Sequence, residues 1–110
     1  MRVALHSVLR EGHEAAYEEA HVTIPDDLVA SFGRLGIHEW TIWRSGRDLF
    51  HLVECDDFAA AMRGLADDPA DRRWQEFIGR HVDHFAESGD GPDARVLGRV
   101  WDLAEQRRTD

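Results

Sequence analysis

Cysteine and basic residues are scarce in this chain of 110 residues. The single cysteine, Cys55, excludes an internal disulfide framework and a cysteine-based zinc cluster, and it fits a reducing compartment. Thirteen lysine and arginine residues stand against 22 aspartate and glutamate residues, so the formal net charge is -9. Nucleic acids and anionic membranes select a basic face, and this balance argues against both as partners. A neutral or cationic small molecule is easier to accommodate than a polyanion.

Long apolar runs are also missing. A membrane span needs roughly 20 consecutive apolar residues, and no stretch approaches that length. Met1 leads directly into an alternating, strand-like segment and not into the segments of a secretory signal, so we expect a cytoplasmic protein. No repeat, phosphate-binding glycine loop or nucleophile elbow is visible. The length and the 43% of hydrophobic residues predict one domain, over residues 1–110, with one core.

Periodicity and turn signals divide the chain into strands and helices, with short loop clusters around residue 46 and over 67–69 and 88–92. We predict a strand over 2–9, helices over 11–21 and 25–36, and a hairpin of strands 37–44 and 48–54. A short helix over 56–66, a longer helix that starts at Pro69 and a last strand over 95–103 follow. One face of the longer helix carries Trp74, Phe77, Ile78, Val82 and Phe85.

This order predicts an α+β protein with the ferredoxin-like split β-α-β-β-α-β arrangement, a four-stranded antiparallel sheet with helices on one face. Every predicted strand carries large apolar residues on both sides; in the second strand, for example, Trp40 and Ile42 oppose Ile37 and Trp43. Helices in this order cover one face only, and the other face would expose an apolar patch larger than monomers usually leave bare. We therefore predict a homodimer that packs through its sheets.

Three ionisable rings on the first predicted helix are spaced by four residues. His13, Tyr17 and His21 therefore lie along one stripe, where a core-facing helix normally carries leucine or isoleucine. Polar rings that face inward need partners or a wet cavity. A histidine with a pKa near 6.5 exchanges protons at neutral pH, and the Tyr17 hydroxyl is a second polarising group. The alternative is a pair of structural hydrogen bonds.

Aromatic residues suggest a binding wall. Trp40, Trp43, Trp74 and Trp101 are many for so short a chain, and a flat indole suits the C–H face of a sugar ring. Each tryptophan could instead fill the core or the dimer interface. His81 and His84 lie three residues apart, but no zinc-binding spacing surrounds them, so we expect no metal site.

Several motifs together resemble a known family. Residues 17–21 (YEEAH), 24–28 (IPDDL) and 36–42 (GIHEWTI) resemble the pattern Y-x-x-x-H, x-x-W-P-E-L and G-x-x-N-Y-x-I of the L-rhamnose mutarotase family. The strand 49–54, the pair at 73–74 and the segment 100–103 continue the likeness, which covers nearly the whole chain. That family is similar in fold to the dimeric α+β barrels, which agrees with the argument from apolar strand faces.

The resemblance implies a cofactor-free, metal-free isomerase that interconverts the anomers of a free 6-deoxy sugar such as L-rhamnose. It implies that His21 is the proton donor and that Tyr17 binds the sugar. Trp40 stands where the family has a second aromatic contact, a tyrosine, and Trp74-Gln75 stands where it has a pair of tryptophans. Ile24 and Glu39 also depart from the pattern. These departures concern substrate contacts, so L-fucose or another deoxy sugar is an alternative substrate.

A mechanism follows as a hypothesis. His21 protonates the ring oxygen, Tyr17 or a water that it holds exchanges the proton of the anomeric hydroxyl, and Trp40 and Trp74 hold the ring. The hydroxyls would bind to polar groups among Gln75, Glu39, Arg73 and His51. Two readings from other classes are a monooxygenase on the same architecture and a non-catalytic small-molecule-binding dimer, since a fold does not fix a function.

Overall fold

A computed structural model describes residues 1–88 and 94–109. Its elements follow in the order β1 (Arg2–Leu9), α1 (Glu14–Ala20), α2 (Asp26–Arg34), β2 (Ile37–Ser45), β3 (Asp48–Cys55), α3 (Phe58–Ala66), α4 (Pro69–Ile78), a 3-10 turn (Gly79–His81), β4 (Val82–Phe85) and α5 (Leu103–Thr109). Among the helices of these ranges, none combines the length and the apolar character that crossing a membrane requires.

The four strands form one antiparallel sheet in the order β2-β3-β1-β4. β1 and β3 are its central strands, paired from Arg2 opposite Glu54 to Val8 opposite Asp48. This strand order is that of the ferredoxin-like split β-α-β-β-α-β arrangement, so the predicted fold class is confirmed.

The two central strands separate an inner, helix-covered face from an outer face. In β1 every second side chain, from Val3 to Leu9, is buried, as the alternating pattern predicts. In β3 the buried positions run from Leu49 to Cys55 in the same way. Leu9, Leu49 and Val53 are completely or almost completely buried and form the base of the core.

A β-bulge in β2 changes which of its side chains lie on the same face of the sheet. The register shifts between Ile37 and Glu39, and the extra residue turns the Ile37 side chain to the same face as Trp40 and Ile42. Ile37 is buried in the core, whereas Trp43 is exposed on the other face. The prediction that Ile37 and Trp43 share a face was therefore wrong.

The segment after α4 also differs from the prediction. The long helix ends at Ile78, and Val82–Phe85 form strand β4 instead of continuing the helical face. The Arg10 N–H donates to the His81 carbonyl at 2.9 Å and the Ala86 N–H donates to the His6 carbonyl at 2.8 Å, so this segment occupies the free edge of β1. Gly79, which ends the helix, has poor helix propensity, and the hydrogen bonds along β1 favour the extended conformation of the residues that follow.

Residues 95–103 are not a strand, contrary to the prediction, because the earlier segment already takes most of the β1 edge. They contribute one isolated bridge, Leu5 opposite Val96, and a hydrogen bond from the Leu97 N–H to the Ala4 carbonyl at 2.8 Å. Helix α5 begins at Leu103. Of the predicted loop cluster at 88–92, all but the first position lies outside the described residues.

Candidate functional site

A cavity of about 720 Å³ lies between the inner face of the sheet and helices α1, α2 and α4. Its size falls in the range of small-molecule sites. Aromatic and aliphatic walls are formed by Ile24, Leu28, Val29, Phe32, Ile37, Trp40, Ile42, Leu49, Trp74, Ile78, Val82 and Phe85. Polar groups are supplied by Ser7, Tyr17, Glu18, His21, His38, Glu39, Arg44, His51, Asp71 and Gln75.

Helix α1 brings Tyr17 and His21 into this cavity together. Their ring centroids are 4.3 Å apart, as the spacing of one helical turn predicts. His21 is the C-terminal cap residue of the helix, and its Nδ1 lies 3.0 Å from the Tyr17 carbonyl oxygen. A carbonyl accepts only, so Nδ1 carries the proton and donates it to one of the free carbonyls of the helix end. The lone pair of neutral His21 is therefore on Nε2, which no described residue bonds.

Burial sets the protonation states of this pair. Desolvation raises the pKa of Tyr17 from 10.0 to about 12. Desolvation lowers the pKa of His21 below its ordinary value, and the hydrogen bond to the Tyr17 carbonyl opposes this effect in part. At neutral pH the phenol is thus protonated and the imidazole neutral. The Tyr17 side chain is 5% exposed, and its hydroxyl has no partner among the described residues and is not sealed off, so it opens onto the cavity.

Two of the four tryptophans are walls of the cavity. Trp74 meets the His21 ring at right angles, with centroids 5.1 Å apart. Trp40 stacks on Phe32 at 5.7 Å. Trp43 and Trp101 do not line the cavity and are more than half exposed.

His51 and Ser7 form a buried polar pair at the base of the cavity. The Trp40 Nε1–H donates to His51 Nδ1 at 3.2 Å, and His51 Nε2 lies 2.9 Å from Ser7 Oγ. An indole only donates, so His51 Nδ1 accepts and its Nε2–H is the donor to Ser7. Desolvation, and then the positive charges that His21 and His6 would carry, lower the pKa of His51 to about 4.

Helix α4 adds a carboxylate and an amide. Asp71 is 8% exposed, and its Oδ1 accepts a long hydrogen bond of 3.4 Å from Gln75 Nε2. Burial raises the pKa of Asp71, the Gln75 hydrogen bond lowers it, and the negative charge of Asp68 raises it. Glu18 and Arg44, which also line the cavity, form an ion pair of 2.6 Å between Oε1 and Nε.

Other predicted candidates lie outside the cavity. His13 Nδ1 and His81 Nδ1 are 2.8 Å apart, so the first ring of the stripe pairs with another histidine. His84 is exposed and bonds to Asp83, and Arg73 forms an exposed ion pair with Asp27. Gln75, Glu39 and His51 do line the cavity. Within the described ranges no group of three or more metal-ligating residues occurs.

Sequence reasoning missed Ser7 and Asp71. The signal for Ser7 was present, since it shares the parity of Val3, Leu5 and Leu9 on β1. Asp71 lies one helical turn before Trp74, a spacing that places both on one side of α4. Neither position could be recognised as cavity lining without the packing of the helices on the sheet.

Two comparisons relate this chain to L-rhamnose mutarotases. The family model of L-rhamnose mutarotase matches residues 2–103. Among solved structures, an L-rhamnose mutarotase from Formosa agariphila is similar with a TM-score of 0.69 and 22% identity, over 94% of this chain and 98% of that chain. No curated protein sequence matches the chain.

Two further solved structures share the fold. The tetracenomycin F2 cyclase of Streptomyces glaucescens, a type-II polyketide cyclase, has a TM-score of 0.62 at 17% identity, over 94% of this chain and 96% of that chain. A NIPSNAP domain protein from Burkholderia xenovorans has a TM-score of 0.54 at 17% identity, over 77% of this chain and 87% of that chain. At such identities the likeness concerns the architecture and not the chemistry.

Proposed function

This chain belongs to the L-rhamnose mutarotase family and is therefore an isomerase, and we propose that it interconverts the α and β anomers of a free 6-deoxy sugar. L-rhamnose is the first candidate, because the family and one similar structure carry that name. L-fucose is the alternative, because Ile24, Trp40 and Gln75 change predicted sugar contacts.

One observation supports this proposal most directly. The Tyr17 hydroxyl and the His21 Nε2 lone pair are held one helical turn apart, and both open onto the same cavity. One group is a proton donor and the other an acceptor at neutral pH. Anomer exchange needs both, because the ring oxygen must gain a proton while the anomeric hydroxyl loses one.

In the ring-opening step, the two roles are exchanged relative to the hypothesis from the sequence, because neutral His21 has its lone pair on Nε2. His21 Nε2 accepts the proton of the anomeric hydroxyl as the bond between C1 and the ring oxygen breaks. The Tyr17 hydroxyl gives its proton to the ring oxygen, which leaves an open-chain aldehyde, an imidazolium and a phenolate. The carbonyl of Tyr17 that binds Nδ1–H stabilises the imidazolium. Each proton transfer of this kind contributes roughly a hundred- to ten-thousand-fold to the rate.

Ring closure reverses the two transfers after rotation about the bond between C1 and C2. The hydroxyl on C5 attacks the opposite face of the aldehyde, its proton returns to Tyr17, and His21 protonates the new anomeric oxygen. His21 is thus the donor in this half of the cycle, and the protein ends in its starting state. The proposed steps use proton transfers alone, so they call for neither a cofactor nor a metal.

The walls of the cavity suit the rest of the sugar. Trp74 lies against His21, and the Trp40 N–H is already bonded to His51, so Trp40 presents an aromatic face instead of a donor. Flat rings of this kind pack on the C–H face of a pyranose. Gln75 supplies an amide at the edge of the same space.

Exchange spectroscopy by NMR tests the proposal. We expect the wild-type protein to accelerate exchange between the anomer signals of L-rhamnose, L-fucose or both at equilibrium. His21→Ala should lower the acceleration by at least about 100-fold without loss of folding. His84→Ala, the same change at an exposed histidine, is the matched control and should retain wild-type exchange.

The pH profile adds a second readout. Because burial lowers the pKa of His21 and the neutral imidazole is the reactive form, exchange should decline in acid solution with its midpoint below pH 6.5, the ordinary value for histidine. Full exchange by His21→Ala would contradict the mechanism. Sugar binding by the wild-type protein without faster exchange would favour the non-catalytic binding dimer.

We also propose that two copies pack through the outer face of the sheet. Phe50 and Trp43 are 42% and 54% exposed there, and the His6 ring stacks on Phe50 with centroids 4.9 Å apart. Adjacent exposed aromatic residues on one face are typical of an interface. A cytoplasmic location remains part of the proposal, since the one cysteine is a buried free thiol.

A further inference from the structure

Two buried carboxylates at the start of α4 are satisfied very differently. Asp68 takes hydrogen bonds from the Asp71 N–H at 3.0 Å, from Ser31 Oγ at 3.0 Å and from Arg34 Nη2 at 2.8 Å. Asp71 takes only the 3.4 Å bond from Gln75, on Oδ1. The charge of Asp68 is therefore stabilised by its hydrogen bonds at the N-terminus of α4, whereas Asp71 makes no contact of this strength.

The second oxygen of Asp71 is open to the cavity. No described residue donates to Oδ2, and the described residues contain no sealed side-chain oxygen or nitrogen that lacks a partner. Because Asp71 lines the cavity and is otherwise nine-tenths buried, Oδ2 has its remaining accessible surface on that side. It is a ready acceptor for a ligand hydroxyl.

Asp71 lies in the first turn of α4, where the helix dipole favours a negative charge, but the rest of its surroundings oppose ionisation of the carboxyl. Burial penalises its charge, the charge of Asp68 repels it, and no arginine, lysine or histidine of the described residues pairs with it. Groups that cost stability and face a cavity are typical of functional sites.

We propose that the Asp71 carboxylate, assisted by the Gln75 amide, binds neighbouring hydroxyls of the sugar remote from the anomeric carbon and so selects its stereochemistry. This inference rests on the proposed function and assigns the specificity of the same cavity. Asp71 lies one turn along α4 from Trp74, which touches His21. A pyranose whose anomeric carbon is at His21 and whose ring lies on Trp74 extends its far hydroxyls toward Asp71.

The chemistry also defines what the cavity rejects. A carboxylate accepts hydrogen bonds from a neutral diol and repels phosphate or carboxylate substituents at the same place. The ligand class is thus a free, uncharged monosaccharide with adjacent hydroxyls. A sugar that lacks the recognised hydroxyl leaves the buried carboxylate unpaired, which is the strongest form of discrimination that a binding site has.

Asp71→Asn tests the inference, with anomer exchange measured for L-rhamnose and for analogues that lack the hydroxyl at C2, C3 or C4. We expect kcat/KM for L-rhamnose to fall about ten- to hundred-fold, mainly through KM. The wild-type protein should discriminate against the 3-deoxy or 4-deoxy analogue, and Asp71→Asn should lose that discrimination. Asp67→Asn makes the same change on an exposed side chain outside the cavity and should behave as wild type.

Each outcome decides between the two proposals. Wild-type KM and an unchanged analogue pattern in Asp71→Asn would overturn the role of Asp71 while leaving the proposed function intact. An absence of exchange with every sugar in the wild-type protein would overturn the proposed function and this inference with it. Gln75→Ala, on an exposed residue that folding tolerates, should raise KM in the same direction by a smaller factor, and it decides the question if Asp71→Asn does not fold.

Discussion

At the scale of single residues, the inner face of the sheet carries polar side chains where a core is expected. His51 is 5% exposed, yet both of its ring nitrogens have partners, Trp40 and Ser7. Fully satisfied buried groups of this kind fix one arrangement of their neighbours. The pair therefore holds the Trp40 indole in place as a wall of the cavity.

The protonation of His51 gives a prediction about stability. Its folded pKa of about 4 lies below the ordinary value of 6.5, so the neutral form is favoured in the folded state. The resulting stability is fully present above pH 6.5, declines as the pH falls toward 4, and amounts to about 3 kcal/mol. Protonation at Nδ1 would also oppose the Trp40 N–H donor.

Chemical denaturation at pH 7 and at pH 4 measures this effect. The wild-type protein should lose more free energy of unfolding between these two values than His51→Gln does, because the variant has no titrating group at this position. His38→Gln changes an exposed histidine and should keep the wild-type pH dependence. Equal losses in the wild type and His51→Gln would contradict the assignment.

At the scale of elements, the junction between α2 and β2 decides how the bulged strand enters the sheet. Gly36 has a φ of +78°, and a Cβ built on it would lie 2.9 Å from Asp56 Oδ2. Its carbonyl accepts the Asp56 N–H at 3.0 Å, which ties the turn to the end of β3. A left-handed residue at the end of a helix is the conformation that glycine adopts at least cost.

A matched pair of glycine substitutions tests this junction. Gly36→Ala should lower the free energy of unfolding by about 1–2 kcal/mol, because a side chain disfavours positive φ. Gly33→Ala, three residues earlier inside α2 and with nothing within 4 Å of the added Cβ, should raise it by about 0.5–1 kcal/mol. Both values come from urea denaturation, and an unaffected Gly36→Ala would show that the turn tolerates a side chain.

At the scale of the whole molecule, the helices cover one face of the sheet and leave the other to solvent or to a second copy. The cavity lies on the covered side, and the exposed aromatic residues lie on the other. Catalysis and association would therefore use opposite faces of the sheet. Changes in one are then expected to leave the other intact.

Light scattering after size exclusion tests the proposed dimer. At micromolar concentration the wild-type protein should have twice the chain mass of 12.6 kDa, and Phe50→Glu should be monomeric because it buries a charge at the interface. Ala16→Glu, on the exposed side of α1, is the control and should remain dimeric. A monomeric wild-type protein would contradict the proposal.

The success of prediction differed along the chain. The hairpin of β2 and β3 and the starts of α2 and α4 have local turn and capping signals, and the predicted boundaries lie within a few residues of the structure. The segment after Ile78 has no such signal. Val82 and Phe85 are three residues apart, a spacing that continues the helical pattern of α4, and the strand that they form is only four residues long. The prediction therefore placed the fourth strand at 95–103 and missed helix α5 (Leu103–Thr109), although the β-α-β-β-α-β order was right.

The candidate site also has features that could be predicted from the sequence and features that could not. The proximity of Tyr17 and His21 depends on helical spacing alone, so it can be predicted from the sequence. The β-α-β-β-α-β order and the buried side of β1 can be predicted in the same way, because periodicity is a local property. Three other features become visible only in the folded protein: Val82–Phe85 takes the edge of β1, a bulge turns Ile37 inward, and Ser7, His51 and Asp71 meet one cavity. These facts depend on contacts between residues far apart in the chain, such as the 44 positions between Ser7 and His51, and on the competition of segments for one strand edge.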